Sequence, residues 1–350
     1  MIITRTPLRI SFFGGGTDYP VWYRQHGGAV LSTTVDKCCY ITCRHLPPFF
    51  EYHSRISYSK VENVGNNDSI EHPSVRACLQ FLEIHEGVEI HHVADLPART
   101  GLGTSSAFTV GLLLGLYALK NEMRDKHALA ADAIHVEQNL LQEAVGAQDQ
   151  VSAAYGGFNR INFNADGTIE VKRILTAQNR LAELEQHLAL YFTGFSRTAS
   201  EIAKEQIKAT PHKERELATM FQMVGEAEAI ITSPSRSLDE FGRLLHESWK
   251  VKRSLTQNIT NTSIDDIYEA GLSAGALGGK LLGAGGGGFM LFFVPPQRRE
   301  ALRRRLKSLL CVPLAFSNRG SQVAVYEPEQ VYDEGLTRER RHVYAQNEHP

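Results

Sequence analysis

The sequence predicts an α+β protein whose N-terminal half mixes strands with helices and whose C-terminal half is rich in helices. Residues Ile2–Phe13 alternate apolar and polar side chains, which is typical of a strand with one buried face. Glycine-rich stretches at 14–16, 101–103 and 283–288 interrupt the regular elements. From about residue 180 onward, long charged helical patterns replace most of the strands. These three observations indicate two domains that meet near residues 180–190.

The length and composition agree with a two-domain globular protein. The chain has 350 residues, of which 42% are hydrophobic and 22% are charged. That is enough chain to bury two substantial cores. We therefore expect an N-terminal domain over residues 1–185, a C-terminal domain over 186–337 and a polar tail over 338–350.

The N-terminal half is divided into short elements by glycine and polar turns. A polar stretch at 62–72 predicts an exposed loop. Small and β-branched residues favour strands, whereas apolar residues at helical spacing favour helices. The predicted strands are Ile2–Phe13, Ala29–Leu31, Cys39–Cys43, Val88–Val93 and Gly157–Phe163, and the predicted helices are Ser74–His85, Ala107–Lys120, Ala128–Glu143 and Ala147–Tyr155.

The C-terminal half carries longer amphipathic patterns. Two apolar runs, Leu188–Phe192 and Phe289–Val294, predict buried strands, and Gln322–Tyr326 predicts a final strand. The predicted helices are Thr198–Ala209, Lys213–Thr232, Leu238–Leu255, Asp265–Gly275 and Arg298–Leu310.

Charge and cysteine content limit the possible partners. The formal net charge is −2, which gives no reason to expect nucleic acid as a partner. The longest apolar run is far too short to cross a bilayer, and we expect neither a membrane span nor a signal peptide. The five cysteines form no CxxC pair, which favours reduced thiols and a cytoplasmic location.

The segment Leu96–Ala107 has the features of a phosphate-binding loop. Gly101 and Gly103 allow the backbone to approach an anion closely. Hydroxyl side chains at 104–106 follow where an apolar helix begins, and a helix N-terminus favours phosphate. Taken alone, the segment is also compatible with an ordinary glycine-rich turn and a Ser/Thr helix cap.

The segment Pro7–Pro20 places an arginine and an aspartate on either side of three glycines. Arg9 on a strand suits a site where phosphate charge must be offset. Asp18 could accept hydrogen bonds from sugar hydroxyls. A glycine-rich hairpin with a turn-forming aspartate is the competing interpretation.

A third glycine segment, Gly278–Phe289, contains a literal GxGxxG pattern. A dinucleotide fingerprint requires a strand before the glycines and a helix after them. Here we expect an Ala/Gly-rich helix before the glycines and the strand Phe289–Val294 after them, so a Rossmann site is excluded. The glycines instead indicate a loop pressed against a ligand or against another loop.

Two acids lie between these segments. Glu137 falls inside a predicted helix, where a solvent-facing carboxylate is the ordinary interpretation. Asp149 opens the next helix, where a charge–dipole interaction would be enough to explain it.

Together, in this order, these segments resemble the GHMP kinases. The stretch Thr100–Ala107, which reads TGLGTSSA, is highly specific for that superfamily, and the resemblance extends from the Arg9 segment to the loop at 283–288. It implies the two-domain GHMP kinase fold, with an N-terminal domain like ribosomal protein S5 domain 2 and a ferredoxin-like C-terminal domain.

The resemblance also implies roles for individual residues. Asp149 and Arg9 would be catalytic, with Asp149 either accepting the proton of the attacking hydroxyl or mainly orienting that hydroxyl. Ser105 and Glu137 would bind Mg²⁺. The implied ATP-binding residues are Thr100, Gly101, Leu102, Gly103, Thr104, Ser105 and Ser106. The implied substrate-binding residues are Asp18, Gly15, Gly16, Arg197, Gly286 and Gly287.

The sequence around the triple glycine narrows the resemblance further. Galactokinases carry Gly-Glu-His-Thr-Asp-Tyr where this chain has Gly14–Tyr19, reading GGGTDY, and this difference argues against galactose. GGGTDYP resembles the branch of D-glycero-D-manno-heptose 7-phosphate kinases, with L-fucose kinases as relatives. A phosphorylated sugar requires a further cation, for which Arg197 is the first choice among Arg197, Lys250, Lys252, Arg253, Lys280 and Arg24.

We therefore predict an ATP- and Mg²⁺-dependent sugar 1-kinase that acts on a small-molecule sugar or sugar phosphate. The specific acceptor that the resemblance implies is the anomeric hydroxyl of D-glycero-α-D-manno-heptose 7-phosphate, which would give the 1,7-bisphosphate. An L-fucose 1-kinase is the alternative enzyme. A non-catalytic sugar sensor on the same fold is a third hypothesis, although such a sensor would be expected to lose part of the catalytic set. The oligomeric state is left open.

Overall fold

The computed structural model describes residues 1–47, 49–194 and 199–327, and it has the predicted α+β organisation. Arg197 and the tail at 338–350 lie outside the described residues.

The strands form two sheets. They are β1 (Ile2–Phe13), β2 (Gly28–His45), β3 (Ser54–Ser57), β4 (Val61–Val64), β5 (Val88–Ala94), β6 (Phe158–Phe163), β7 (Ile169–Arg173), β8 (Leu188–Gly194), β9 (Gly278–Leu281), β10 (Gly288–Phe293), β11 (Leu310–Val312), β12 (Phe316–Ser317) and β13 (Gln322–Tyr326). The larger sheet has the order β13-β1-β2-β5-β3-β4, with β6 and β12 also paired to β2 and β7 paired to β6. The smaller sheet has the order β11-β8-β10-β9.

The helices surround these sheets. They are α1 (Pro20–His26), α2 (Pro73–Phe81), α3 (Thr104–Leu119), α4 (Lys126–Ile134), α5 (Gln148–Tyr155), α6 (Gln178–Gln186), α7 (Ala199–Ala209), α8 (Glu214–Thr232), α9 (Asp239–Arg253), α10 (Thr262–Ser273) and α11 (Arg299–Arg305). None of the helices in the described ranges is long and apolar enough to cross a membrane.

Helix α3 is buried on nearly all sides and packs against β1 and β2. Two of its glycines allow this close contact. A Cβ at Gly111 would lie 2.7 Å from Oγ1 of Thr6, and a Cβ at Gly115 would lie 2.9 Å from Sγ of Cys43. The packing fixes the N-terminus of α3, which follows the predicted phosphate-binding loop, against the centre of the larger sheet.

The structure corrects the prediction of two separate strands at 29–31 and 39–43. Both belong to the 18-residue strand β2. The sequence pattern is interrupted by Ser32, Thr33 and Thr34, which are buried. Ser32 Oγ lies 3.1 Å from Oγ of Ser152, and Thr34 Oγ1 donates to the carbonyl oxygen of Ser317 at 2.7 Å. Partners from other elements satisfy the hydroxyls of Ser32 and Thr34, and Thr33 Oγ1 donates to the carbonyl oxygen of Thr34. Because these hydroxyls have partners, the strand continues through a polar stretch.

The predicted exposed loop at 62–72 is also wrong in part. Residues Val61–Val64 form β4, and Glu62 is buried. Its carboxylate accepts hydrogen bonds from Tyr58 Oη and from the backbone N–H groups of Glu71 and His72. Local sequence does not distinguish a buried carboxylate that accepts hydrogen bonds from backbone N–H groups from a carboxylate exposed to solvent.

Two further boundaries differ from prediction. The helix expected over 128–143 ends as an α-helix at Ile134 and continues as a π-helical turn, His135–Leu140. The glycine segment at 283–288 is preceded by the strand β9 rather than by a helix. The strand β10 follows it as predicted, so the Rossmann interpretation still fails.

Candidate active site

Arg9 on β1 and Asp149 on α5 form a bidentate ion pair. Arg9 Nε donates to Asp149 Oδ1 and Arg9 Nη2 to Asp149 Oδ2, both at 2.7 Å. Arg9 lies on β1 and is almost fully buried, whereas the Asp149 side chain is 24% exposed. Each carboxylate oxygen has lone-pair capacity beyond its bond to Arg9. The partly exposed carboxylate can therefore accept a further hydrogen bond from a ligand.

Three carbonyl oxygens of the loop, at residues 100–102, accept hydrogen bonds from β1 and β10. The carbonyl of Thr100 accepts from Phe289 N, that of Gly101 from Arg9 Nη1, and that of Leu102 from Arg9 N. In a trans peptide the N–H points opposite to the carbonyl. The N–H groups of residues 101–103 therefore point away from these carbonyl partners.

Positive φ angles at two glycines produce this arrangement. Gly101 has φ +85° and Gly103 has φ +73°, and Gly103 is the N-cap of α3 without a capping side chain. Alternating backbone conformations of this kind form concave anion sites, and an uncapped helix N-terminus adds unpaired N–H groups. The buried hydroxyl of Thr104 has no protein partner among the described residues. The loop fits a phosphate group.

The glycine segment at 278–289 is the second glycine segment of the site, after the phosphate-binding loop. It packs directly on that loop, backbone against backbone. A Cβ at Gly101 would lie 2.2 Å from the carbonyl oxygen of Leu282, and one at Gly283 would lie 2.5 Å from Cα of Gly101. A Cβ at Gly288 would lie 2.4 Å from the carbonyl oxygen of Thr100. The glycines at these positions are required by the contact between the two loops.

Glu137 is a buried carboxylate carried by the π-helical turn. Its Oε2 accepts hydrogen bonds from Ser106 Oγ at 2.8 Å and from Gln150 Nε2. Its Oε1 is buried and has no hydrogen-bond partner among the described residues. Burial raises the pKa of Glu137 to about 7, and the nearby carboxylate of Glu143 acts in the same direction. A buried carboxylate with one free oxygen fits a cation.

Asp18 lies in the same region and is 2% exposed. Its Oδ1 accepts from Gly16 N at 2.9 Å and its Oδ2 from Gln148 N at 3.4 Å. Burial raises the pKa of Asp18 to about 6, and the negative charge of Asp149 adds to the increase. Asp18 therefore links the triple-glycine segment to the start of α5, where Asp149 lies.

Comparison with known proteins relates the chain to one family. Residues 73–157 match the family described as GHMP kinases N terminal domain, and residues 227–310 match GHMP kinases C terminal. A D-glycero-alpha-D-manno-heptose 7-phosphate kinase from Campylobacter jejuni is 31% identical over 298 residues, which cover 81% of this chain and 86% of the relative. The chain belongs to the GHMP kinase family.

Two further similarities extend the comparison. A bifunctional fucokinase/GDP-fucose pyrophosphorylase from Arabidopsis thaliana is 26% identical, over 80% of this GHMP kinase but only 28% of the relative. The crystal structure of a D-glycero-D-manno-heptose 1-phosphate kinase from Bacteroides thetaiotaomicron has a TM-score of 0.74 and 23% identity, and it covers 95% of this chain and 100% of that one. The predicted fold and the identification of an enzyme of the GHMP sugar-kinase type are confirmed.

The two predicted metal-binding residues of this GHMP kinase differ in burial. Glu137 is buried, whereas Ser105 is exposed on the first turn of α3. The hydroxyl that contacts Glu137 directly is that of Ser106. The prediction assigned Ser106 to ATP alone and did not identify its contact with Glu137.

The predicted substrate-binding glycines lie in the triple-glycine segment and in the segment at 278–289. Gly16 N is engaged by Asp18, and Gly15 is partly exposed. In the second segment, Gly286 N donates to the carbonyl oxygen of Ile259 at 3.0 Å, so this N–H serves the fold. Gly287 has φ +150° and is buried.

The candidate cations separate into surface and buried groups. Lys250 pairs with Glu247 at 3.2 Å, Arg253 with Asp265 at 2.9 Å, and Arg24 donates to the carbonyl oxygen of Asp166 at 3.0 Å. Lys252 and Lys280 are instead buried beside the site. Charged residues on an amphipathic helix, such as Lys250, Lys252 and Arg253, are ordinarily expected to face solvent. For Lys252 this expectation is wrong, because its side chain is buried.

Sequence reasoning also missed Gln150. Its side chain donates to Glu137, and it is fully buried on α5 next to Asp149. One indication of a role for Gln150 is present in the sequence, because Gln148 and Gln150 flank Asp149 on a short helix of small residues. Nothing in the local pattern indicated that Gln150 would reach a residue on the preceding helical segment.

Proposed function

We propose that this kinase transfers a phosphoryl group from ATP to the anomeric hydroxyl of D-glycero-α-D-manno-heptose 7-phosphate, giving the 1,7-bisphosphate. The observation that carries the proposal is the 31% identity, over 81% of the chain, to the heptose 7-phosphate kinase of Campylobacter jejuni. The segment GGGTDYP at 14–20 supports the same branch. The enzyme would act in the cytoplasm, and its product would serve as a precursor of GDP-heptose.

The loop geometry supports ATP as the donor. The outward N–H groups of residues 101–103 and the uncapped start of α3 would hold its phosphates. Glu137 and the Ser105 hydroxyl are the proposed Mg²⁺ ligands, with Ser106 orienting the Glu137 carboxylate. Bound Mg²⁺ would neutralise negative charge on the phosphates.

The Arg9–Asp149 pair supports transfer to a hydroxyl. Asp149 would accept a hydrogen bond from the anomeric hydroxyl, orient it and take its proton as the new bond forms. Arg9, fixed by its bonds to Asp149 and to the carbonyl of Gly101, would offset the charge of the transferred group. Asp18 would bind other sugar hydroxyls from its position beside the triple glycine.

Arg197 is our proposed partner for the 7-phosphate on sequence grounds alone. Arg197→Ala should raise the KM for the sugar phosphate far more than the KM for ATP, because only the sugar would lose an ionic contact. Equal effects on both constants would contradict this assignment.

A coupled ADP-release assay with ATP and Mg²⁺ tests the proposed function. The acceptor panel contains heptose 7-phosphate, free mannoheptose, L-fucose, galactose, mevalonate and homoserine. Turnover confined to the heptose phosphate is the expected result. Turnover with L-fucose would replace the proposed substrate by the second candidate, which the 26% identical fucokinase relative favours. Nucleotide binding without any turnover would favour the sensor hypothesis.

A further inference from the structure

Two lysines are buried beside the site, and the phosphoryl transfer described above uses neither of them. Lys252 is 7% exposed and Lys280 is 3% exposed. Removing an ammonium group from water is costly unless hydrogen bonds and favourable charges compensate. Their placement therefore needs an explanation beyond folding.

Lys252 holds the start of the second glycine segment. It lies in the last turn of α9, and its Nζ donates to the carbonyl oxygens of Leu281 at 3.0 Å and Gly283 at 2.5 Å. Gly283 packs on Gly101 so closely that a Cβ there would lie 2.5 Å from Cα of Gly101. Gly283 therefore lies between the ammonium of Lys252 and the loop proposed to bind the ATP phosphates.

Lys280 makes a similar contact with the backbone just before the triple-glycine segment. It lies on β9, and its Nζ donates to the carbonyl oxygen of Phe12 at 2.9 Å. Phe12 comes two residues before Gly14, where the triple-glycine segment with Asp18 begins. Lys280 therefore connects the smaller sheet to the acceptor side of the site.

The surrounding charges suit an anionic ligand. Burial and the positive charge of Arg9 lower the pKa of Lys252 to about 7. Burial lowers the pKa of Lys280 well below its ordinary value, Lys252 and Arg9 add to the decrease, and Asp18 opposes it. The Lys252 and Lys280 side chains and the Arg9 guanidinium are therefore close enough to lower the pKa of both lysines, and a phosphate bound nearby would favour the charged forms of the lysines.

We propose that Lys252 is a positioning residue for the nucleotide, whose ammonium holds the glycine segment at 282–287 against the phosphate-binding loop, while Lys280 holds the acceptor segment. The inference rests on the proposed use of ATP by this kinase. It predicts a division of effects: loss of Lys252 weakens ATP recognition, and loss of Lys280 weakens acceptor recognition.

The test compares Lys252→Met, Lys252→Arg and Lys280→Met with Lys250→Met as the matched control. Lys250 lies on the same helix but is on the surface and paired with Glu247. Thermal melting identifies variants that fail to fold. Binding of a non-hydrolysable ATP analogue by calorimetry requires no acceptor, so it reports on Lys252 even if the proposed sugar is wrong.

We expect Lys252→Met to weaken analogue binding and to raise the KM for ATP about tenfold or more, which is typical of losing a charge-assisted hydrogen bond. Lys252→Arg should restore part of the affinity, and Lys250→Met should match the wild type. Lys280→Met should instead raise the KM for the acceptor that the panel identifies. Analogue affinity of folded Lys252→Met within twofold of wild type would overturn the proposal, as would equal increases in both KM values without rescue by arginine.

Discussion

At the residue scale, the site depends on carboxylates placed in unequal surroundings. Asp149 is partly exposed and clamped by Arg9 through two bonds of 2.7 Å. Asp18 and Glu137 are buried, and burial raises the pKa of each. These surroundings fit three different tasks: orienting a hydroxyl, holding a sugar and holding a cation.

Asp149→Asn should reduce the rate of phosphoryl transfer by about 10³-fold or more, in the range found for a lost acid–base group. An amide cannot take the hydroxyl proton, and it offers Arg9 one acceptor in place of two. The turnover number for the accepted sugar measures the effect. ATP-analogue affinity should stay close to wild type, because Asp149 is not part of the phosphate loop. Near-native turnover would show that Asp149 is wrongly assigned.

Asp18 should make sugar recognition depend on pH. Its carboxylate is the form that accepts hydrogen bonds from sugar hydroxyls, and its pKa without ligand is raised to about 6. The KM for the sugar should therefore increase as the pH falls below 6, by up to about tenfold per pH unit. Asp18→Asn should have a higher KM that varies less between pH 5 and 7. Glu137 also titrates near this pH and would affect wild type and Asp18→Asn alike. The measurement is therefore the difference between the pH profiles of KM for wild type and for Asp18→Asn.

At the element scale, two glycine loops and the start of α3 form one unit. Gly101 and Gly103 adopt positive φ, and the loop containing Gly283 lies against them without room for a side chain. The sequence predicted that both loops would be close to a ligand or to each other. Which residue contacts which follows from the pairing of β10 with β9 and β8, which fixes the ends of the second loop.

Gly101→Ala should weaken ATP-analogue binding at least about tenfold and lower the melting temperature. The new Cβ would lie 2.2 Å from the carbonyl oxygen of Leu282, at a φ of +85° that alanine rarely adopts. Gly65→Ala is the matched control, because a Cβ at Gly65 would have nothing within 4 Å. If both variants bound the analogue equally well, close contact between the loops would not be needed for nucleotide binding.

At the scale of the whole molecule, the chain returns to its first sheet before it ends. Strand β13 pairs with β1, the strand that carries Arg9, and β12 pairs with β2. Between these strands, Ser321 N donates to the carbonyl oxygen of Ala153 on α5, the helix that carries Asp149. The C-terminal strands therefore pack against both elements that position the Arg9–Asp149 ion pair.

A chain ending at Pro313 should be much less stable than one ending at Glu327. The shorter chain lacks β12 and β13 and exposes the edge of the larger sheet at Ile2–Arg5 of β1, the strand that carries Arg9. We expect its melting temperature to be lower by about 10 °C or more, or its unfolding to lose cooperativity. Calorimetry of the two truncated chains makes the comparison. Equal melting temperatures would mean that these strands do not support the sheet.

Local sequence predicted the family, the α+β class and most of the elements, because strand alternation, helical spacing and glycine-rich turns are short-range patterns. The strand β1, the helix α3 and the strand β10 follow from such patterns almost to the residue. Local sequence failed at Ser32–Thr34, at Glu62 and at Lys252. At these positions a polar side chain is buried because hydrogen bonds that the local hydrophobic pattern does not reveal satisfy it.

The sequence by itself determined the glycine-rich segments, the acids and the arginine from which phosphoryl transfer can be inferred. Only the tertiary structure decided that Arg9 clamps Asp149, that Ser106 contacts Glu137, and that two buried lysines hold the loops on either side of the site. The physical reason is that desolvation and hydrogen bonding depend on which segments pack together, whereas backbone propensity and hydrophobic period are properties of neighbouring residues.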